Sequence, residues 1–256
     1  MQIKVLGAHN LESENTRFCS LLIDGIIALD AGALTSSLSF IEQQELKAVL
    51  LTHQHYDHIR DIPALAINYQ EHDATIDIYS IQPVYEVMVN HLLNNVIYPN
   101  FMERPTVKPA LKFHVLEPGK IVSIAGYEVL PVKVTHPIPT VGYQITAADG
   151  KKVFYTADTG PGLTECWEVV SPDLLIIETT APNQYKEFAL KTGHLTPDLL
   201  QKELKDFRKL KAYLPKTVVV HISPIYEKTI GEEIAAAARN LNADIRLGFE
   251  GMQIDV

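Results

Sequence analysis

The segment Thr52-His53-Gln54-His55-Tyr56-Asp57-His58 brings three imidazoles and one carboxylate together within a few residues. It follows an apolar run, residues 46–51, that predicts a buried strand leading into it. In an extended chain His53 and His55 point the same way, and a turn after them lets Asp57 and His58 face a second centre. Because neutral imidazole and carboxylate are ligands for zinc, iron and manganese, this histidine motif predicts metal binding.

The composition of the chain limits the classes of protein it can belong to. Its 256 residues, 46% of them hydrophobic, are enough for a substantial core and one large domain. The formal net charge of −9 argues against an extended nucleic-acid surface, on which clustered Lys and Arg would neutralise phosphates. The densest basic stretch, residues 202–216, also carries Glu203 and Asp206, and its spacing favours a solvated helix face.

The chain is expected to be a cytoplasmic protein without a membrane anchor. Cys19 and Cys166 lie far apart in sequence, which favours a reduced compartment. Residues 1–5 start directly as a strand, so no signal peptide is predicted. The longest apolar stretch, residues 19–34, is interrupted by Asp24 and Asp30 and therefore predicts no membrane span.

Predicted strands and helices alternate along the chain, which indicates an α/β fold in one domain over residues 1–256. The predicted strands are residues 3–6, 17–23, 26–30, 48–52, 75–79, 112–116, 127–135, 142–147, 152–156, 174–178 and 217–220. The predicted helices are residues 38–44, 81–94, 164–170, 197–213 and 231–241.

Turn and cap signals support some of these boundaries. Asp24-Gly25 predicts a hairpin turn between two early strands. Thr196 and Pro197 mark the start of the helix at 197–213, with Thr196 predicted to cap it. The segment 95–110, which contains three prolines, is either a substrate-facing lid or a packed surface connection.

Three more ligand candidates follow predicted strands elsewhere in the chain. His136, Asp158 and His221 each come directly or shortly after such a strand. Because ligands in open α/β sheets collect at strand ends, these residues are expected at one edge of the sheet. Each taken alone is as readily an ordinary loop or core residue, but together with the histidine motif they predict a shared metal site.

The order and spacing of these residues resemble the metallo-β-lactamase superfamily of binuclear hydrolases, and Leu29-Asp30-Ala31-Gly32 is similar to the Asp-x-Gly segment that precedes the family's first motif. The resemblance implies a four-layer αβ/βα sandwich holding two divalent metal ions, with zinc expected and manganese or iron left open. It implies that Asp30 orients a ligand histidine. It also implies that the first metal is held by His53, His55 and His136, the second by Asp57, His58 and His221, and that Asp158 bridges both.

Local sequence favours the phosphodiesterase branch of that superfamily. The segment from His136 to Tyr143 resembles that branch, and Leu29-Asp30-Ala31-Gly32 with residues 52–59 resembles the signature of class II cyclic-nucleotide phosphodiesterases. The segments 175–180 and 193–196 are similar to transfer-RNA-processing endonucleases (RNase Z). In RNase Z a matching Glu and His flank the metals, which implies that His194 protonates the leaving oxygen and that Glu178 positions it. The alternative for His194 is a residue that caps the next helix. The predicted catalytic residues are therefore Asp57, which is also a metal ligand, His194 and Glu178.

The expected reaction is hydrolysis of a small phosphodiester, such as a cyclic nucleotide, by a hydroxide that bridges the two metals. An RNase Z-like endonuclease is one alternative, but the segment between His136 and Asp158 is too short for the long basic arm with which those enzymes grip transfer RNA. A carboxylic-ester, lactone or sulfate-ester hydrolase on the same metals is another, and a binding or scaffold protein is a third.

Substrate recognition and assembly are less well indicated by the sequence. A homodimer is expected by analogy with relatives of the family. The candidates for contacting a base or a sugar are Tyr98, Phe101, His9 and Tyr143.

Overall fold

Two seven-stranded sheets make up the centre of the computed structural model, which describes residues 1–256. In spatial order the first sheet contains β14 (Gln253–Asp255), β1 (Gln2–Gly7), β2 (Ser20–Ile23), β3 (Ile27–Leu29), β4 (Ala48–Leu50), β5 (Ile76–Ser80) and β6 (Leu111–Val115). The second sheet contains β13 (Ile245–Leu247), β12 (Lys216–Val220), β11 (Leu174–Glu178), β10 (Lys152–Tyr155), β9 (Val141–Thr146), β8 (Tyr127–Lys133) and β7 (Val122–Ile124).

Each sheet is antiparallel on one side and parallel on the other. In the first sheet the pairs from β14 to β3 are antiparallel and those from β3 to β6 are parallel. In the second sheet the pairs from β7 to β10 are antiparallel and those from β10 to β13 are parallel. The C-terminal ends of parallel strands meet at one edge of a sheet, and this is where the ligand candidates emerge.

Nine α-helices connect or follow these strands. They are α1 (Leu34–Ser37), α2 (Phe40–Glu45), α3 (Tyr56–Ile59), α4 (Ile62–Glu71), α5 (Gln82–Val87), α6 (Thr164–Val169), α7 (Lys186–Thr192), α8 (Pro197–Lys211) and α9 (Glu227–Leu241). A π-helical turn, Met88–Leu92, extends α5, and a 3₁₀ turn, Asn183–Tyr185, precedes α7. None of the helices is both long and apolar enough to cross a bilayer.

Alternate residues of the central strands pack on opposite faces of the second sheet. In β11, Leu174 and Ile176 join the core that lies between the two sheets, whereas Leu175 and Ile177 pack in a second core. That second core also contains residues of α6, α8 and α9. A strand covered on both faces is apolar throughout, which explains the run Leu174–Ile177. The predicted four-layer α/β sandwich is confirmed.

Every predicted strand is present, β11 with the predicted bounds and the others with shifted ends, and the hairpin at Asp24-Gly25 is confirmed with both residues at positive φ. The three-residue strands β7, β13 and β14 were not predicted, nor were the helices α1, α3, α4 and α7. The predicted helix 81–94 is α-helical only to Val87 and then becomes a π-helical turn. Most of the unpredicted elements have seven residues or fewer, which is too few to show a hydrophobic period, whereas the ten-residue α4 was missed despite its length.

The start of α8 differs from the prediction in one respect. Thr196 occupies the N-cap position, but its side chain makes no capping hydrogen bond, and its hydroxyl is buried without a partner. Asn183 replaces it, because its side-chain oxygen accepts a hydrogen bond of 2.8 Å from the backbone N–H of Asp198. The predicted capping residue is therefore wrong, because Asn183 and not Thr196 supplies the acceptor oxygen, though the helix begins where expected.

The segment 95–110 is a packed connection rather than a lid. Phe101 is buried in the main core, and Tyr98 and Met102 pack against that core. The carbonyl oxygen of Phe101 accepts a backbone hydrogen bond of 3.0 Å from Leu111 at the start of β6. These contacts fix the segment to the edge of the first sheet and favour the second of the two interpretations of its sequence.

Candidate metal centre

The predicted ligands emerge where strands end. His53 and His55 follow β4, and Asp57 and His58 lie in α3, the helical turn that comes next. The other three follow strands of the second sheet, His136 after β8, Asp158 after β10 and His221 after β12. The structure brings all seven side chains into two groups that share Asp158.

The first group contains His53, His55, His136 and Asp158, whose ligand atoms all lie within 4.8 Å of one another. Nδ1 of His55 is 3.0 Å from Nε2 of His53 and 3.5 Å from Nε2 of His136. Three ring nitrogens thus converge on one point, with Oδ2 of Asp158 lying 3.7 Å from Nε2 of His53. This is the ligand set predicted for the first metal.

The second group contains Asp57, His58, Asp158 and His221. Oδ1 of Asp158 is 3.3 Å from Nε2 of His58 and 3.4 Å from Nε2 of His221. Oδ2 of Asp57 lies 3.3 Å from the same nitrogen of His221. The two oxygens of Asp158 therefore face different groups, which is the arrangement that a bridging carboxylate requires.

Asp30 holds two of the histidines from behind. Its fully buried carboxylate accepts a hydrogen bond of 2.7 Å from Nδ1 of His58 and one of 3.0 Å from the hydroxyl of Thr52. Because the Thr52 hydroxyl donates its hydrogen to Asp30, its oxygen accepts a hydrogen bond of 2.9 Å from Nδ1 of His53. The Tyr155 hydroxyl also donates to Asp30. Both imidazoles are thereby left with Nε2 as the free ligand nitrogen. Asp30 was predicted to orient a ligand histidine, and the ring it contacts directly is that of His58.

Glu178 makes an equivalent arrangement on the other side of the site. Its fully buried carboxylate accepts a hydrogen bond of 2.6 Å from Nδ1 of His194 and one of 3.0 Å from the Thr180 hydroxyl. The Thr180 oxygen in turn accepts from Nδ1 of His221 at 2.8 Å. Glu178 therefore holds His194 directly and His221 through Thr180, and it leaves Nε2 of each ring free.

A backbone carbonyl fixes the remaining oriented ligand, His136. Its Nδ1 donates a hydrogen bond of 3.0 Å to the carbonyl oxygen of Gly193. Gly193 ends α7 with a φ of 73°, a left-handed conformation that glycine adopts without strain. A side chain on Gly193 would also clash with the ring of Pro137. This glycine therefore serves both the helix end and the metal-ligand histidine.

The imidazoles of the first group are in the form that binds metal. Burial lowers the pKa of His53 well below its ordinary value of 6.5, and the neighbouring His58 lowers it further. Burial also lowers the pKa of His55 and that of His136. Because neutral imidazole carries the lone pair that coordinates a metal, these rings need lose no proton at neutral pH.

The second group concentrates negative charge in a buried space. Burial raises the pKa of Asp57 and Asp158, but nearby histidines outweigh this and hold both pKa values well below the usual range. Burial lowers the pKa of His58, whereas Asp158, Asp30 and Asp57 together raise it well above 6.5. A positive charge at this position stabilises these carboxylates. A divalent metal would supply that charge, and His58 would then bind the metal as a neutral ligand.

Two polar atoms support the presence of a metal more directly. Nε2 of His58 and Oδ1 of Asp158 are buried and have no hydrogen-bond partner. Buried polar atoms are almost always paired, so two orphans in one cluster call for an explanation. A metal ion bound by the second group would coordinate both, and the nitrogen and oxygen donors suit zinc, manganese or iron. The residues present therefore fit a divalent metal.

His194 lies beside the two groups rather than within them. Its ring is stacked 5.4 Å from that of His221 and packs edge-on, also at 5.4 Å, against that of His136. Burial lowers the pKa of His194, but Glu178 outweighs this and raises the pKa to about 9. Its ring bonds to Glu178 and Thr180 and not to the start of α8, so the capping alternative is wrong.

Glu178, His194 and His221 also form a third group of possible ligand atoms. In this group Nδ1 of His194 and Oε1 of Glu178 are already joined by their hydrogen bond, and Nδ1 of His221 is occupied by Thr180. These ligand atoms are therefore already satisfied by hydrogen bonds within the protein. Thr180, Thr52 and Tyr155 were missed at the sequence level, where only their positions at strand ends could have signalled them.

The predicted recognition residues are not supported by the structure. Tyr143 is fully buried and donates its hydroxyl hydrogen to the carbonyl oxygen of Leu51, and Phe101 lies in the main core. His9 is buried against Glu250, with their side-chain atoms 2.7 Å apart. Tyr98 packs on Phe101. Three of these rings are buried, and Tyr98 is half-buried against the core, so packing accounts for all four.

Comparison with known families agrees with this geometry. The family described as "Beta-lactamase superfamily domain" matches residues 21–222, and the chain therefore belongs to the β-lactamase superfamily. A search of curated protein sequences found no significant match.

Solved structures show the same fold. That of unliganded yeast PDE1 has a TM-score of 0.87 and 19% identity, covering 100% of this chain and 99% of that one. The metallo-β-lactamase fold protein YhfI from Bacillus subtilis has a TM-score of 0.79 and 19% identity, covering 99% and 98%. Human tRNase Z, short form (ELAC1), has a TM-score of 0.68 and 20% identity, covering 100% and 99%. At these identities the similarity establishes the fold.

Proposed function

We propose that the protein is a binuclear metal-dependent phosphodiesterase acting on a small phosphodiester. The observation that carries the proposal is the pair His194–Glu178, joined at 2.6 Å beside the two ligand groups. An alkoxide leaving group needs a proton as its bond to phosphorus breaks, and a positioned imidazole can donate one. The folds of yeast PDE1 and of human tRNase Z add support, since similar sandwiches occur in those proteins.

The charge of the site also favours a phosphodiester. The ionised carboxylates of Asp57 and Asp158 offset only part of the charge of two divalent metals, so the loaded site remains positive. A phosphodiester monoanion complements that charge. A neutral lactone or carboxylic ester gains no attraction from the positive charge of the site, so these substrates are less favoured.

The roles of the residues follow from their positions. Two bound divalent ions would supply an activated water and withdraw negative charge from the phosphoryl group. His53, His55 and His136 would hold one ion, and Asp57, His58 and His221 the other, with Asp158 facing both. His194 donates a proton from Nε2 to the leaving oxygen, while Glu178 holds its Nδ1. The hydrogen bonds of Asp30 and Thr180 fix the orientation of the imidazole rings of His58 and His221. Zinc is the metal we propose, with manganese or iron also compatible with these donors.

A small substrate is favoured over transfer RNA. The segment between His136 and Asp158 is taken up by β9 and β10 and the turn between them, so it contributes to the second sheet and forms no arm. With a net charge of −9, the chain also lacks the excess of basic residues that an RNA backbone requires. An RNase Z-like activity is therefore the second candidate, favoured only by the shared fold.

Relative rates on a small panel test the proposal. Metal-loaded protein is assayed with a bis-aryl phosphodiester, an aryl carboxylic ester, an aryl sulfate, a lactone and precursor transfer RNA. We expect the phosphodiester to have the highest kcat/KM and Asp158→Ala to abolish its hydrolysis. Negligible diesterase activity together with ester, lactone or sulfatase activity would assign the site to the other hydrolase class.

A further inference from the structure

A pocket of about 260 Å³ opens beside His194 and His221. Thr180 forms part of its wall, and the hydroxyl oxygen of this residue lies 2.8 Å from Nδ1 of His221 and 3.4 Å from Nδ1 of His194. Phe188 forms another part and lies in α7, to which His194 is joined by a backbone hydrogen bond of 2.8 Å to the carbonyl oxygen of Ala189. The pocket therefore adjoins the side of the site on which His194 would protonate the leaving oxygen.

Three aromatic rings line the pocket. Tyr185 and Tyr226 lie with their ring centroids 5.1 Å apart and their hydroxyl oxygens 3.0 Å apart. Phe188 is 59% exposed, so much of its ring is free to contact a ligand. The face of an aromatic ring carries negative electrostatic potential, and a cation placed over it is attracted to the ring. Three rings around one small cavity therefore favour a positively charged ligand.

The polar groups of the wall narrow the class of cation. No lysine, arginine, aspartate or glutamate lines the pocket. An anion would gain no positive partner there, and a primary ammonium would gain no carboxylate to accept from its N–H groups. Asn10 lines the pocket, and its Oδ1 is buried without a hydrogen-bond partner. This unpaired oxygen adds negative partial charge to the wall.

We infer that this pocket binds a quaternary ammonium group carried by the leaving alcohol of the phosphodiester. The inference rests on the proposed function for the position of the phosphate, and on Tyr185, Phe188, Tyr226 and Asn10 for the cation. A quaternary ammonium has no N–H group that needs an acceptor, and aromatic rings are the groups that proteins use to bind it. The volume of about 260 Å³ lies below the roughly 300–1,000 Å³ of pockets for drug-sized ligands, which favours such a compact group.

Hydrolysis of such a diester releases the cationic alcohol. With methyl phosphocholine, the oxygen of water bonds to phosphorus, and the bond from phosphorus to the choline oxygen breaks. That oxygen leaves with the proton from Nε2 of His194, and a proton of the attacking water restores the protonated ring. The products are choline and methyl phosphate. Release of methanol and phosphocholine instead would contradict the assignment of the pocket to the leaving group.

A neutral isostere tests whether the pocket binds charge or merely shape. Metal-loaded wild-type protein and Phe188→Leu are assayed with methyl phosphocholine and with methyl 3,3-dimethylbutyl phosphate, in which carbon replaces the ammonium nitrogen. We expect the wild type to have the higher kcat/KM for the choline ester. Phe188→Leu keeps an apolar side chain but removes the ring, so the ratio of the two kcat/KM values should fall about fivefold.

Phe40→Leu is the matched control for this variant. Phe40 is 63% exposed on α2 and lines no part of the pocket, so its replacement should leave the ratio unchanged. Equal kcat/KM values for the two esters in the wild type would overturn the inference, as would an unchanged ratio in Phe188→Leu.

Asn10→Leu provides a second, independent variant. Its melting temperature should stay at or above that of the wild type, because an apolar group of similar size replaces an unpaired buried oxygen. Its preference for the choline ester over the neutral isostere should fall about threefold, since the wall loses negative partial charge. A melting temperature well below that of the wild type, or an unchanged preference, would contradict the assignment of this residue.

Direct binding separates this inference from the proposed function. Calorimetry with the metal-loaded protein compares choline with 3,3-dimethylbutanol. Tighter binding of choline that weakens in Phe188→Leu supports the pocket even when no diester is hydrolysed, in which case only the proposed function fails. Equal affinity for the two alcohols in a protein that hydrolyses generic diesters overturns the pocket and leaves the function standing.

Discussion

Two buried carboxylates, Asp30 and Glu178, each hold one histidine directly and a second through a threonine. Asp30 holds His58 directly, and Glu178 holds His194 directly. The threonine-linked rings are those of His53 and His221. In all four rings Nδ1 is committed to the protein, and Nε2 is free. The positions of the ligand nitrogens therefore depend on hydrogen bonds that lie outside the metal sites.

Thr180 should matter for metal affinity although it binds no metal. Thr180→Val removes the acceptor for Nδ1 of His221 at little cost in shape. We expect affinity for the second metal to fall about 10- to 100-fold, the usual effect of losing such a partner. Thr179→Val is the matched control, because the Thr179 hydroxyl donates only to the carbonyl oxygen of Glu178. Metal titration with a competing chelator measures both, and equal affinities in the two variants would contradict the linkage.

The role of His194 can be tested by the leaving group. His194→Gln should lower kcat for a diester with an alkoxide leaving group by roughly 10²- to 10⁴-fold. A nitrophenolate leaves without a proton, so kcat for a nitrophenyl diester should fall less than about tenfold. Elemental analysis should show wild-type metal content in the variant. Equal losses on both substrates would assign His194 a structural role instead.

His9 and Glu250 form a buried ion pair whose contribution to stability depends on pH. Burial lowers the pKa of His9, but Glu250, with a smaller effect from Glu227, raises it above 6.5. Burial raises the pKa of Glu250, but His9 and the backbone N–H of Arg17 lower it below 4.5. The stabilisation from His9 is complete below pH 6.5 and is lost as the pH rises through its folded-state pKa. That from Glu250 is present above pH 4.5 and is lost as the pH falls.

Replacing His9 should therefore cost most stability in weakly acidic solution. His9→Gln is expected to lower the free energy of unfolding by about 1–3 kcal/mol between pH 4.5 and 6.5. The difference from the wild type should shrink as the pH rises through the raised folded-state pKa of His9, above which the histidine is neutral in both states. Denaturant unfolding at a series of pH values measures it, and a difference that is constant with pH would show that only packing is lost.

At the scale of the element, several strands end on a residue in the left-handed conformation. Asp30 after β3, His221 after β12 and Ala157, which precedes Asp158, have φ values between 57° and 60°. Residues other than glycine seldom adopt this conformation, which occurs in tight turns, at helix ends and at functional sites. Each turns the chain sharply at the sheet edge, and two of the three are themselves site residues.

Gly32 belongs to the same edge and is needed for close approach. A Cβ at this position would lie 2.6 Å from the carbonyl oxygen of Cys19 and would clash with that of Asp57 in α3. Gly32→Ala should therefore displace α3, weaken metal binding and lower stability by about 2 kcal/mol or more. Gly231→Ala in α9 is the control, since its Cβ would meet only the end of the Leu247 side chain. Unchanged metal affinity in Gly32→Ala would contradict the close-approach argument.

At the scale of the whole molecule, the sequence predicts those strands and motifs whose residues lie close together along the chain. Strands such as β11 stand out because most of their residues are apolar. The histidine motif stands out because its four predicted ligands lie within the six residues from His53 to His58. The family resemblance implied that Asp30 orients a ligand histidine, but only the fold identifies that histidine as His58. The Thr180–His221 contact joins residues 41 positions apart, and its hydrogen bond depends on how two neighbouring strands pair. The sequence contains no local pattern that predicts which residues of β11 and β12 lie side by side.

The contact between Tyr185 and Tyr226 shows the same limit. Tyr185 and Tyr226 come from a 3₁₀ turn and from the residue before α9, and only the fold brings their rings together. Tyr143 was one of four candidate recognition residues, yet it points into the core because side chains alternate along β9. Aromatic residues serve both cores and binding sites, so their exposure decides between the two.

The central claim is that two metals held by the paired ligand groups hydrolyse a phosphodiester. Hydrolysis of a bis-aryl phosphodiester is measured while metal-free protein is titrated with zinc, manganese or iron. The account predicts no activity without metal and a rate that levels off at about two equivalents per chain. A rate that levels off below one equivalent, or no hydrolysis at any metal content, would contradict it.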